Sequence, residues 1–225
     1  KTAYHEAGHA IVGLKLTKTD PVYKATIIPR GRALGMVVSL PEMDKLQMLK
    51  DEAREKIAMT MAGKAAEIFK YGPESVSSGP VGDIQQASSL ARAMVMRWGM
   101  SDKVGNIDYS EAHEGYRGTT GGFSVSAHTK ELIEEEVKRF IDEGYANAYR
   151  LIEENAEEFE RLAQGLLEYE TLTGDEIKRV MRGDPPQPGE GEGDKTEETA
   201  AASVTAIPKT KPRSPKGGME PEPSA

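Results

Sequence analysis

The stretch Tyr4-His5-Glu6-Ala7-Gly8-His9-Ala10 stands near the start of a 225-residue chain that contains only four histidines. Its alanines, and Ile11, Val12 and Leu14 after it, mark a helix. An α-helix turns about 100° per residue, so His5 and His9 project from one face, one turn apart. Glu6 follows His5 by the same angle and stays within reach of that face. Ala7, Ala10, Ile11 and Leu14 make the apolar side. The helix is expected over residues 3–16, ending before Asp20-Pro21.

Downstream, Val22 to Arg30 (VYKATIIPR) is rich in β-branched and aromatic residues, and GRALGMVVSL follows a break at Pro29 to Gly31. The pair reads as a two-stranded ribbon. From Asp44 to Tyr71 apolar residues recur every three or four positions, the period of an amphipathic helix, closed by Gly72-Pro73. A Gly/Ser/Pro loop leads into a helix marked by Ile84, Ala87, Ala91, Met94 and Trp98. Residues 100–125 lack a period and suggest a functional or mobile loop. A long helix over about Ser126 to Glu154 follows, then a separate helix through Phe159 to Leu167. Thr173 and Glu176 have capping-box spacing before a last helix to Met181. The fold class is therefore mainly α, with one small β ribbon.

Composition sets the outer limits. The segment from Asp184 to Ala225 holds eight of the 13 prolines and no aromatic residue. Such a segment buries too little apolar surface to offset the entropy of ordering. Two regions are expected, a folded domain over 1–183 and a disordered acidic, Pro/Gly-rich tail over 184–225. A net charge of −8 and a pI near 5.2 argue against a general nucleic-acid binder. With no cysteine there is no disulfide and no thiolate metal site. No apolar run approaches the roughly 20 residues that span a bilayer. The chain opens on Lys1 and runs straight into a helix, the expectation for a fragment of something longer. Gly63-Lys64 lacks the surroundings of a phosphate-binding loop, since Ala58 stands where the first glycine belongs and Ala65 follows the lysine. The chain by itself is not expected to bind ATP.

His-Glu-x-x-His on a helix supplies two imidazoles that can share one Zn²⁺, with the glutamate beside the metal rather than on it. His5 and His9 are the expected ligands. Glu6 is the expected general base, taking a proton from a water whose pKa the metal has lowered to about 7. A catalytic zinc calls for a third protein ligand. The extended motif with a third histidine fails, because Val12 and Lys15 stand where its glycine and last ligand belong. Glu67, Asp83, His113 and His128 remain, and spacing alone rates Asp83 and Glu67 nearly equal.

Five segments occur together and in order: TAYHEAGHAIVG, IIPRGRALGMVVSLPE, MAGKAAE, SSGPVGDIQQAS with ARAMVMRWGMSDKVG, and ETLTGDEI. Over nearly all of residues 1–183 this resembles the peptidase domain of the FtsH family, membrane-anchored ATP-dependent zinc metalloproteases related to the mitochondrial AAA proteases. The resemblance implies Asp83 as third zinc ligand and Glu67 as a supporting residue. Gly82 replaces the family's usual Asn and Lys64 its usual Arg; neither is a ligand. It also implies one Zn²⁺ per chain, ATP used only by a separate ring module, and a homo-hexamer. Substrates would be unfolded membrane and cytosolic proteins. The location would be the bacterial inner membrane, through an anchor outside this chain, with the peptidase domain on the cytoplasmic side. The strand formed by Ala33, Leu34, Gly35, Met36, Val37, Val38 and Ser39 looks like the edge along which substrate lies extended.

Overall fold

The first helix, α1 (Thr2–Lys15), is buried on more of its circumference than a surface helix would be, with Ala3, Ala7, Ala10, Ile11 and Val12 all inside. Two glycines within it carry a helix-propensity cost of about 1 kcal/mol each relative to alanine. Gly8 has a packing reason: a Cβ there would lie 2.5 Å from the Ala66 Cβ and 2.7 Å from the Ala62 carbonyl oxygen. The glycine therefore sets how near the neighbouring helix can come. At the far end Leu16 turns extended, and its N–H still donates to the Val12 carbonyl.

These relationships come from a computed structural model that describes residues 1–29, 31, 34–41, 47–110 and 125–186. They lie in a unit that runs from Lys1 to Gln187. The tail expected from Asp184 onward lies, beyond Pro186, outside the described residues.

Strand β1 (Val22–Thr26) pairs antiparallel with β2 (Met36–Ser39), Val22 opposite Ser39 and Thr26 opposite Met36, with an irregularity between Val22 and Lys24. The ribbon expected from sequence is joined by a third strand, β3 (Thr171–Thr173), which pairs with the other side of β1. The order β2-β1-β3 makes β2 an edge. Three residues are too few to carry a period-two signal. β3 forms because Glu170, at φ 62°, turns the chain back, and because Thr171 Oγ1 lies 2.7 Å from Thr26 Oγ1.

Helix α2 (Lys50–Tyr71) packs against both α1 and α4 (Ala127–Glu154), and α3 (Val81–Met96) lies beside α2 and α4. The sequence pattern puts the start of α2 at Asp44. Gln47, Met48 and Leu49 are instead non-helical, and Asp44, Lys45 and Leu46 lie outside the described residues. The helix begins where the Glu52 carboxylate can accept the Leu49 N–H at 3.1 Å, satisfying one of the unpaired donors of the first turn. It stops at Gly72, whose φ of 80° no ordinary residue adopts cheaply.

After α3 the missing period predicts a functional or mobile loop. Its described part is packed instead. Val104 and Tyr109 enter the core, and the Tyr109 N–H donates to the Met96 carbonyl at 2.8 Å. Ser101 donates to Glu136 on α4 at 2.6 Å. Helices α5 (Ala156–Tyr169) and α6 (Gly174–Met181) close the other side, and Thr173 with Glu176 forms the expected capping box at the start of α6.

Two apolar clusters result. One gathers α1, the sheet, α5 and α6 around Phe159, Leu162, Leu166 and Leu172. The other joins α2, α3 and α4 around Ile57, Met94 and Phe140. Each fully buried Leu, Ile or Phe contributes about 1.5–3 kcal/mol. Helix α2 gives residues to both clusters, and α1 and the start of α3 meet along it.

Candidate metal centre

His5 and His9 leave α1 one turn apart, with ring centroids 4.8 Å apart and planes at 75°. Each ring is held by its Nδ1. That of His5 lies 3.1 Å from Glu67 Oε1, and that of His9 lies 2.8 Å from the Met59 carbonyl oxygen. A carbonyl and a carboxylate only accept, so both Nδ1 atoms carry the hydrogen and both Nε2 atoms present lone pairs. Glu67 is itself fixed, accepting the Ser77 N–H at 2.8 Å and the Ser77 hydroxyl at 3.0 Å.

The two Nε2 atoms stand 3.1 Å apart, and Asp83 Oδ2 lies 3.2 Å from that of His5 and 3.4 Å from that of His9. Asp83 Oδ2 is buried and makes a directed hydrogen bond to neither ring, short as the distances are. Three lone-pair atoms thus converge on one point that needs a cation. Bonds of 2.0–2.1 Å at tetrahedral angles separate neighbouring donors by about 3.3 Å, which the three spacings match. The floor of the site is Gly63 on α2, where a Cβ would stand 2.5 Å from both Nε2 atoms. Two imidazoles and a carboxylate suit Zn²⁺. Among the described residues this is the group whose side chains could hold a metal.

Asp83 sits in the first turn of α3, two residues inside its start at Val81, so it does not occupy the cap position, which Pro80 fills. Burial raises its pKa, but the closeness and charge of His5 and His9 outweigh that and hold it well below the usual carboxylate range. Burial likewise works against the charged form of His5; Asp83, Glu6 and Glu67 overcome it and raise the imidazole's pKa. Glu67 is raised by burial and lowered more strongly by Ser77 and His5. Glu6 behaves differently. It is 5% exposed, burial pushes its carboxyl up, and the nearby histidines offset this only in part.

The site opens into a cleft of about 1320 Å³, whose lining includes Glu6, His5, His9 and Asp83, together with Met36, Val37 and Ser39 of β2 and Leu34 and Gly35, expected in the strand but lying before it. That exceeds the few hundred to 1,000 Å³ of a small-molecule pocket. Met48, Met59, Val81 and Trp98 supply apolar wall. Val38, on the same strand, is not among the lining residues. Ala33 and His113 lie outside the described residues. His128 is exposed in the first turn of α4 and takes no part in the cluster. Sequence reasoning missed Met59, which acts through its backbone and leaves no signal in side-chain identity. It also missed Ser77, whose only signal was membership of a Ser-rich loop.

Residues 1–180 match the family model described as Peptidase family M41. The chain is 47% identical over 181 residues to the ATP-dependent zinc metalloprotease FtsH of Rickettsia bellii, covering 80% of this chain and 28% of that protein. It is 42% identical over 220 residues to the FtsH of Caulobacter vibrioides, covering 96% and 34% respectively, an alignment that extends past residue 184 into the tail. With the FtsH of Neorickettsia risticii the identity is 45% over 184 residues, 82% of this chain and 28% of that protein. The chain spans about a third or less of the length of these curated relatives. A model match over four-fifths of the sequence, taking in the helix that carries His-Glu-x-x-His at its start, establishes that the chain belongs to peptidase family M41.

Proposed function

We propose that this chain is the peptidase domain of an ATP-dependent zinc metalloprotease of the FtsH type, and that it hydrolyses peptide bonds of unfolded polypeptides. The observation that carries the reading is the convergence of His5 Nε2, His9 Nε2 and Asp83 Oδ2 on one point, with the buried carboxylate of Glu6 beside it, held by no hydrogen bond among the described residues. His5, His9 and Asp83 would hold the metal; the Glu67 carboxylate and the Met59 carbonyl would keep the imidazoles in the tautomer that binds. When bound, Zn²⁺ supplies a Lewis acid that polarises a carbonyl and lowers the pKa of a neighbouring water from 15.7 to about 7. Glu6 accepts a proton on its carboxylate and later returns one to the departing amine nitrogen.

The edge strand β2 supports extended substrate binding, because its outer N–H and C=O groups can pair with a peptide backbone whatever its side chains. In this reading unfolded and membrane proteins are the substrates. ATP is used by a part of the longer protein, which assembles as a hexamer anchored in the bacterial inner membrane with this domain on the cytoplasmic side. A purely structural metal site would have no use for Glu6. The test is Glu6→Gln in the full-length enzyme, assayed for bound zinc and for casein hydrolysis. Zinc retained with hydrolysis lost is the expected result; substantial hydrolysis by the variant would remove Glu6 from the mechanism.

A further inference from the structure

Among the described residues no hydrogen bond fixes the Glu6 carboxylate. Its place is set by walls, and one wall is Gly35, the residue just before β2. A Cβ on Gly35 would stand 2.8 Å from Glu6 Oε1, 2.9 Å from Glu6 Cγ and 2.9 Å from the Thr2 methyl carbon. Ordinary van der Waals contact for such a carbon begins near 3.4 Å. Something would have to give way.

The backbone does not require glycine here, since Gly35 is not one of the residues at positive φ. What its missing side chain leaves room for is therefore the question. At Gly8 an added Cβ would meet the Ala62 carbonyl, and two helices would have to separate. At Gly35 the three nearest atoms it meets belong to the side chains of Glu6 and Thr2, and none is backbone. The fold can absorb that, but Glu6 must move. We propose that Gly35 is a positioning residue: the space it leaves at the head of β2 holds the Glu6 carboxylate beside His5 and His9. The strand that would receive substrate and the group that would take its proton are thus set against each other by one contact. This inference rests on the reading of Glu6 as proton acceptor.

A proton acceptor works over a narrow range, about 2.6–3.2 Å between heavy atoms. Restoring contact distance to a new Cβ displaces the carboxylate by roughly half an ångström or more, and a misplacement of about 1 Å can cost 100-fold in rate. In the full-length enzyme, Gly35→Ala is expected to lower kcat by about 10- to 100-fold, with KM changed by less than about threefold. Zinc content, measured by atomic absorption, should stay as in the wild type, and Tm should move by no more than about 2 °C. A second variant isolates the contact. Glu6→Ala removes both the Cγ and the carboxylate that the new Cβ would meet, so Gly35→Ala added to it should lower residual kcat by less than about twofold, a clear departure from additivity.

Wild-type kcat in Gly35→Ala would overturn the inference, as would equal losses in the wild-type and Glu6→Ala backgrounds. A raised KM at unchanged kcat, or a large fall in Tm, would overturn it too, because the glycine would then serve the strand. If Glu6→Gln itself hydrolyses casein, the underlying reading fails. If Glu6→Gln is inactive while Gly35→Ala turns over normally, only the present inference fails.

Discussion

Glu6 and Glu136 are both glutamates on helices, both almost fully buried, and they titrate in opposite directions. Glu136 on α4 receives Arg139 in a bidentate pair at 2.8 Å and 2.8 Å, the Ser101 hydroxyl at 2.6 Å, and Lys103 at 3.5 Å. Arg139, Ser101 and the nearby positive charges bring its pKa down to about 2, overcoming burial. Among the described residues Glu6 has no such partners, and burial drives its pKa up. A buried carboxylate given every hydrogen bond is committed to holding structure: here it ties Ser101, and with it the segment after α3, to α4. One left without them stays available for a proton. The environment, not the residue type, separates the two roles.

The largest effect expected from breaking this contrast is on turnover. Replacing Glu6 with Gln removes the proposed proton acceptor and should cost about 10²- to 10⁴-fold in kcat, measured on casein. In the metal-free protein the same change should raise Tm slightly. The sign follows from the shift: a carboxyl whose folded pKa is raised is destabilising once pH climbs through that value, and Gln carries no such charge. A lower Tm would mean that the Glu6 carboxylate has a stabilising partner.

The opposite change, Glu136→Ala, should leave the metal-ligand cluster intact and cost about 1–3 kcal/mol of stability, because the Ser101 hydroxyl loses its buried acceptor while Arg139, partly exposed, keeps only Glu143 at 2.7 Å. Urea unfolding would check this, and a loss under about 1 kcal/mol would place the pair among weak surface bridges.

Next in size is the distinction between holding a metal and orienting its ligands. Asp83→Ala should emerge from a desalting column with little zinc. Glu67→Ala should bind zinc about 10- to 100-fold more weakly, read by competition with a chelator. The reverse ranking would exchange the two roles.

The smallest effect is on acid stability. The Glu136 pKa falls from 4.5 unfolded to about 2 folded, so its contribution is complete above about pH 4.5 and is lost as pH drops toward 2. The loss is on the order of 2 kcal/mol. Unfolding free energies of wild type and Glu136→Gln should therefore differ at about pH 6 and converge near pH 2. Parallel curves would deny the shift.

Much of the fold was legible because its elements repeat locally. The apolar face of α1, the three-to-four residue period of α2 and α4, the β-branched run of β1 and the Thr173–Glu176 cap are all written within one or two turns of chain. Three features were not legible. The start of α2 depends on where Glu52 can cap, β3 depends on pairing with a strand well over a hundred residues away, and the packing of Val104 and Tyr109 depends on α4 being there to receive them.

For the site the division is similar. Sequence by itself determined that His5, Glu6 and His9 share one face of a helix, because helical geometry converts their spacing into proximity without reference to the rest of the chain. It also supplied the candidates for a third donor, and no way to rank them by spacing. Only the tertiary structure decided that Asp83, delivered by the first turn of a different helix, comes within 3.4 Å of both rings while Glu67 meets the far nitrogen of one. The reason is physical: distances between residues on separate helices are set by how closely those helices pack. Here Gly8 and Gly63 let α1 and α2 approach until the imidazoles, the carboxylate and the space between them reach the dimensions of a coordination shell.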